Sequence, residues 1–234
     1  MREGVISAGM LFTQPTARTC AHSEEESVPA VGGWNPEDFA REQIRGLVRR
    51  VFFSNVERPV RQVIFSALDP ETCVKSICWQ VGEALALETA GSVAVVGDYP
   101  QALRDPENYR LKNQDRSTSL RQKATRLRAN LWLVPAAEND GGRRSTASLH
   151  AYQGAICAEF EYSILEGPPA GESNEATSMA QFADGIILVL SASNTRRVVA
   201  RKIKEMLDAT HARVLGTVLT DRIFPIPERI YRRL

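Results

Sequence analysis

Two short stretches carry the residue types from which a phosphate and metal site can be built. Lys75-Ser76 follows an apolar run at 60–67 and opens a helical pattern. A lysine there neutralises an anion, and a hydroxyl beside it can ligate Mg²⁺. Glu166 lies within FEYSILEGPP, residues 160–169, where an apolar run ends in an acid and a double proline. An acid at the carboxyl edge of a buried strand is placed for a divalent cation. A second acid, Asp98, follows Gly97 after the apolar run SVAVV at 92–96. Together these give Lys75 and Ser76 as phosphate contacts, Ser76, Asp98 and Glu166 as Mg²⁺ ligands, and Glu166 and Asp98 as acids that could polarise water. Plainer readings stand beside these: Lys75-Ser76 as the polar first turn of a helix, and Glu166 as a strand-end acid with no catalytic task. Other chemistries find no support. His22, His150 and His211 are too dispersed to ligate one metal, no Gly-x-Ser-x-Gly is present, and Cys20, Cys73, Cys78 and Cys157 form no CxxC pair. The cysteines read as free thiols of a reducing compartment.

The elements that must position these residues are legible from periodicity. Residues 1–33 mix small, polar and charged types without a period and read as a flexible tail, leaving 34–234 as one domain. Asn35-Pro36-Glu37-Asp38 is a helix start, with Phe39, Ile44, Leu47, Val48 and Val51 as the apolar side. A strand at 60–67, a helix from Ile77 to Leu87 and a strand at 92–96 form a βαβ unit, which requires parallel strands. Further strands are predicted at 131–134, 162–165, 186–190 and 214–219, with helices at 146–159 and 195–209. In the latter helix Val198, Val199, Ile203, Met206 and Leu207 are assigned to the apolar side and the arginines and lysines to solvent. Continuous apolar strands alternating with helices predict a doubly wound α/β fold, a mostly parallel sheet with helices on both faces.

Charge narrows the partners. With 29 basic against 28 acidic residues, the chain has no global attraction to nucleic acid or anionic lipid. The basic stretch Arg110–Arg128 is read as a solvated surface segment rather than a nucleic-acid face, because no aromatic platform is interleaved with it. No run of about 20 apolar residues could span a bilayer, so a cytoplasmic location is expected, with any membrane association through a partner.

The strand order and the phrases FEYSILEGPP, ADGIILVLSASNT, VLGTVL and IPERIYRRL resemble the ATP-binding domain of bacterial tyrosine autokinases of capsule and exopolysaccharide synthesis, a group within the MinD/ParA-like P-loop class. The resemblance covers roughly residues 37–234. It implies ATP and Mg²⁺ as ligands, a P-loop NTPase-like sheet of MinD/ParA type, and as partner the cytoplasmic segment of a membrane polysaccharide chain-length regulator or an active kinase paralogue. Three motifs depart from the family pattern. The phosphate loop, expected to end Gly-Lys-Ser/Thr, reads Ala67-Leu68-Asp69-Pro70-Glu71-Thr72-Cys73-Val74-Lys75-Ser76, so Val74 replaces the last glycine and two acids stand where phosphate must go. Losing two or three charge-assisted bonds of about 1.5–3 kcal/mol each weakens nucleotide binding by roughly two to six orders of magnitude. The Asp-x-Asp strand end becomes Gly97-Asp98-Tyr99, and the third motif's aspartate becomes Glu166.

Two echoes are weaker still. An oligomerisation motif Glu-x-x-Arg-x-x-Arg is matched by Glu42 and Arg45 but has Val48 in the third place, and the single Tyr231 stands where a tyrosine cluster would be phosphorylated. The resemblance thus predicts a non-catalytic or weakly nucleotide-responsive regulator in exopolysaccharide biosynthesis, able to form homo-oligomers. Two alternatives remain open: an active tyrosine kinase or ATPase with an atypical loop, and a MinD/ParA-like positioning factor using the basic stretch on DNA or membrane.

Overall fold

The computed structural model describes residues 7–9, 36–54, 57–99, 119–137 and 145–221. Their elements, in chain order, are β1 (Ser7–Gly9), α1 (Pro36–Val48), β2 (Gln62–Ala67), α2 (Lys75–Glu88), β3 (Val93–Gly97), α3 (Leu120–Lys123), β4 (Thr125–Arg126), β5 (Leu131–Pro135), α4 (Thr146–Glu159), β6 (Tyr162–Glu166), α5 (Asn174–Phe182), β7 (Gly185–Ser191), α6 (Arg197–Ala209) and β8 (Val214–Thr220). A π-helical turn, Arg49–Phe53, continues α1. The eight strands form one sheet in the order β1-β8-β7-β2-β6-β3-β5-β4. Every pairing is parallel except β4 with β5.

The central strands are largely apolar because both faces of the sheet are covered there. Val63, Phe65, Val93, Val95 and Ile164 pack under α1 and α2, against Ile44, Leu47, Ile77, Val81 and Leu85. Their sequence neighbours Ile64, Ala94, Val96 and Leu165 point the other way, onto Leu149 and Ile156 of α4, Met179 of α5 and Ile203 and Leu207 of α6. This period-2 alternation between two cores is the doubly wound arrangement expected from the sequence.

Several features were not foreseen. Ser7–Gly9, inside the stretch read as a tail, pairs with Thr217–Leu219 as an edge strand. Helix α5 follows the proline- and glycine-rich loop. Its signal was Ser173, whose hydroxyl caps the amide of Glu175 at 3.0 Å, ahead of buried Ala176, Met179 and Ala180 at helical spacing. Val198 and Val199, assigned to the buried side of α6, are 79% and 43% exposed. The helix turns Ile203 and Leu207 inward, one turn apart, and that axis leaves the two valines in solvent. Among the described residues no helix is long and apolar enough to cross a membrane. The rest of residues 1–33, the Asn35 cap, residues 110–118 of the basic stretch, the 140–144 loop and Tyr231 lie outside the described residues.

Candidate functional site at the carboxyl edge of the sheet

Register decides which side chains meet. In β2 and β6 Phe65 lies opposite Glu166, and in β3 and β6 Val96 lies opposite Leu165. All three strands run parallel, so the β2–α2 loop, the end of β6 and the residues after β3 emerge at one edge of the sheet, where open α/β folds bind ligands. The candidates Lys75, Asp98 and Glu166 therefore lie close enough to interact, while Ser76 sits in the first turn of α2 with its hydroxyl 3.9 Å from Cys73 Sγ. Lys75, Ser76 and Asp98 are exposed, while Glu166 is half-buried.

The loop between β2 and α2 is closed upon itself. One carboxylate oxygen of Asp69 accepts from the backbone N–H of Thr72 at 2.9 Å and from its hydroxyl at 2.8 Å. The other oxygen accepts from the Thr195 hydroxyl at 3.4 Å, which itself receives the Ser191 amide at 3.0 Å. Aspartate followed by proline favours such an Asx-type turn. Val74 at the helix start is buried and right-handed, with φ −87° and ψ −30°, and caps nothing with its side chain. Gly171 lies against the Leu68 carbonyl so closely that a Cβ there would collide with it. The β6–α5 connection thus presses the loop from outside.

These residues do not fit a nucleotide triphosphate as a glycine loop would. Such a loop turns its amides outward to phosphate oxygens. Here the Thr72 amide is committed to Asp69, and Asp69 and Glu71, the latter accepting from Asn194 at 3.4 Å, add two negative charges to the loop.

Gly97 and Glu166 are packed against each other. A Cβ on Gly97 would lie 2.6 Å from Glu166 Oε2 and 2.8 Å from the Tyr99 ring. The longer glutamate therefore reaches into the space that the missing side chain leaves. Burial raises the Glu166 carboxyl above the ordinary carboxylate range, while the Lys75 ammonium and the Asp98 backbone N–H pull it back down. Its Oε2 has no hydrogen-bond partner among the described residues, and neither has the Tyr99 hydroxyl. Tyr99 is 5% exposed, and its hydroxyl is pushed far above its ordinary value by burial, with the nearby Cys78, Glu166 and Cys73 adding to the shift. Cys78 is raised well above the ordinary thiol value by the same burial. A tyrosine ring thus fills the interior beside the start of α2. The sequence reading gave Tyr99 only as a place where an acid was lost.

On the other side of β6 a small cavity of about 20 Å³ is lined by Glu166, Gln153, Tyr152 and Met179. Gln153 donates to the Met179 carbonyl at 3.1 Å, and its Oε1 is buried without a partner. Among the described residues no three His, Cys, Asp or Glu side chains are grouped to hold a metal. The carboxylates proposed as Mg²⁺ ligands, Asp98 and Glu166, thus stand as a pair joined through a backbone N–H and not as part of a larger acidic cluster.

Other sequence-level candidates resolve into structure. Arg45 lies 3.7 Å from Glu42 on an exposed face of α1. Arg121 and Arg126 of the basic stretch lie over the Trp132 ring, 4.7 Å and 5.4 Å from its centroid. An aromatic thus does meet this stretch, supplied from β5 rather than interleaved with it. Cys73, Cys78 and Cys157 are free. Asp184, seen in the sequence only as part of a family phrase, accepts the Arg61 and Gln62 amides at 2.7 Å and 2.8 Å and anchors the start of β2.

A parallel sheet wound on both faces, with its candidate residues gathered at the carboxyl edge, defines a fold of the MinD/ParA type. The ParA family ATPase from Chlorobium tepidum superposes with a TM-score of 0.52 at 11% identity, covering 68% of this chain and 73% of that one. The likeness is greater for the kinase domain of Escherichia coli tyrosine kinase ETK, with a TM-score of 0.63 at 13% identity over 88% of this chain and 85% of that one. Sequence similarity points the same way. Tyrosine-protein kinase CpsD of Streptococcus agalactiae serotype III (strain NEM316) is 35% identical over 65 residues, and the match spans 28% of this chain and 28% of the relative. No family model matches. The chain resembles bacterial tyrosine kinases, in fold over most of its length and in sequence over about a quarter of it.

Proposed function

We propose that this chain is a non-catalytic member of the tyrosine-kinase-like group, serving exopolysaccharide or capsule production by binding the cytoplasmic segment of a membrane chain-length regulator or an active kinase relative. Residues 34–234 act in this reading as one domain. The observation that carries it is the Asp69 carboxylate seated on the Thr72 amide, which gives the loop an internal anion in place of an external one. Gly97 and Glu166 support it, since the carboxylate is packed tightly over a glycine and beside the Tyr99 ring. The sheet is retained because its strands are required by two cores, and function moves to surfaces. Titration with ATP and Mg²⁺ by calorimetry tests this directly. No heat of binding at millimolar ligand is expected, and micromolar affinity that disappears in Lys75→Ala would overturn the reading.

A second reading is favoured by one observation, the electrostatic coupling of Lys75, Asp98 and Glu166 at a single edge. In that reading the chain is an ATP-binding tyrosine kinase with an atypical loop, Lys75 contacts phosphate, and Ser76, Asp98 and Glu166 surround Mg²⁺. Polysaccharide yield separates the two. The first predicts that Lys75→Ala leaves yield unchanged, and the second predicts its loss.

A further inference from the structure

The exposed half of α6 carries an unusual combination. Val198 and Val199 stand 79% and 43% exposed, and between Arg196 and Lys204 the sequence has five basic residues and no acid. Arg196, Arg197, Arg201 and Lys202 are all exposed, and among the described residues none of these four is ion-paired. Lys204, one turn further on, is paired with Asp208 at 2.8 Å. This charge is concentrated locally in a chain whose formal net charge is +1. It also sits at the end of the helix where the dipole disfavours cations, with no acid in the first turn and no side-chain cap. The arrangement costs the isolated helix stability, and an anionic surface would reverse that sign.

We propose that this face of α6 docks on an anionic lipid bilayer, with Val198 and Val199 entering the headgroup boundary and Arg196, Arg197, Arg201 and Lys202 contacting lipid phosphates. Two neighbouring aliphatic side chains ringed by arginine and lysine match the interfacial pattern, in which apolar area and electrostatic attraction act together. A nucleic acid would use the charge but not the valines, and α6 offers no aromatic ring on which a base could stack. The contact uses none of the Lys75, Asp98 and Glu166 side chains, although Thr195, just before α6, touches Asp69 of the β2–α2 loop.

Flotation of the full chain with vesicles tests this. Binding is expected to vesicles containing phosphatidylglycerol, absent with pure phosphatidylcholine, and falling as NaCl rises. Replacing Arg196, Arg197, Arg201 and Lys202 together by glutamine should weaken it on the order of a hundredfold or more, since each cation near such a surface contributes about a fivefold factor. Val198→Ser with Val199→Ser leaves charge unchanged and should weaken it roughly fivefold to tenfold. All six positions are exposed, so neither set of substitutions should lower the melting temperature, and removing the four cations from the start of α6 should raise it slightly. The proposal is overturned by failure to float with phosphatidylglycerol, by binding indifferent to the valine pair, by salt-sensitive retention of duplex DNA in place of vesicles, or by a dimer that the valine substitutions dissociate.

Discussion

The two ends of β2 and β6 use carboxylates in opposite ways. At the amino end Asp184 receives two backbone amides, at 2.7 Å and 2.8 Å, and fixes where β2 begins. At the carboxyl end Glu166 keeps an oxygen without a hydrogen-bond partner beside an equally unpartnered Tyr99 hydroxyl. Asp184 is a satisfied structural acid, whereas Glu166 is a buried carboxylate with an orphaned oxygen, the kind of group that calls for an explanation in function or strain. The difference teaches that the central strands are packed by two cores while the carboxyl edge holds the strained polar groups: β2 and β3 are buried throughout, and Glu166 at the end of β6 is only half-buried.

Substitution at the amino end should have the largest consequence. Asp184→Ala leaves two amides without their acceptor and is expected to cost about 3 kcal/mol, read as a lower urea midpoint at unchanged m-value. A loss below about 0.5 kcal/mol would remove the contrast between the two ends. Gly97→Ala comes next, because its methyl group would displace the Glu166 carboxylate and crowd Tyr99, at about 1–2 kcal/mol. Glu166→Asp should recover most of that loss, and a double-mutant cycle without coupling would disprove that the two residues compete for this space.

The pH dependence sharpens the comparison further. Burial raises the folded-state value of Glu166 above the ordinary carboxylate value, so the folded state holds its proton over a window in which the unfolded chain has released it. Stability from this group is therefore complete below the ordinary carboxylate value and falls as pH rises through the raised one. Glu166→Gln should flatten that decline and leave the protein at least as stable at neutral pH, measured by thermal melts across the acid range. A steeper decline in the variant would contradict a destabilised carboxylate. The smallest effect is expected from Lys75→Ala, within about 0.5 kcal/mol, because the side chain is exposed and carries no structural contact that the fold needs.

How much of this was legible depends on the length scale of each signal. The central strands and the helices at 75–88, 146–159 and 197–209 follow from apolar periodicity over five or more residues, and the departure of the loop from a glycine pattern follows from Val74, Asp69 and Glu71 alone. Helix α5 was obscured by the prolines before it, although Ser173 marked its start. The two-residue strand β4 has too few side chains to show a period, and β1 is three small residues, Ser7-Ala8-Gly9, within a stretch read as a tail despite Val5-Ile6 and Met10-Leu11-Phe12 beside it.

The sequence by itself determined that two-sided burial would produce a parallel doubly wound sheet, because strands without polar faces cannot border water. It also determined that no glycine cradle follows β2. Only the tertiary structure decided that Glu166 occupies the space over Gly97, that Tyr99 fills the interior beside α2, that Asp184 anchors β2 across more than a hundred residues of chain, and that Val198 and Val199 face solvent. Each of these depends on the register of strands and the rotation of one helix about its axis, quantities fixed by packing among distant residues and encoded in no local window.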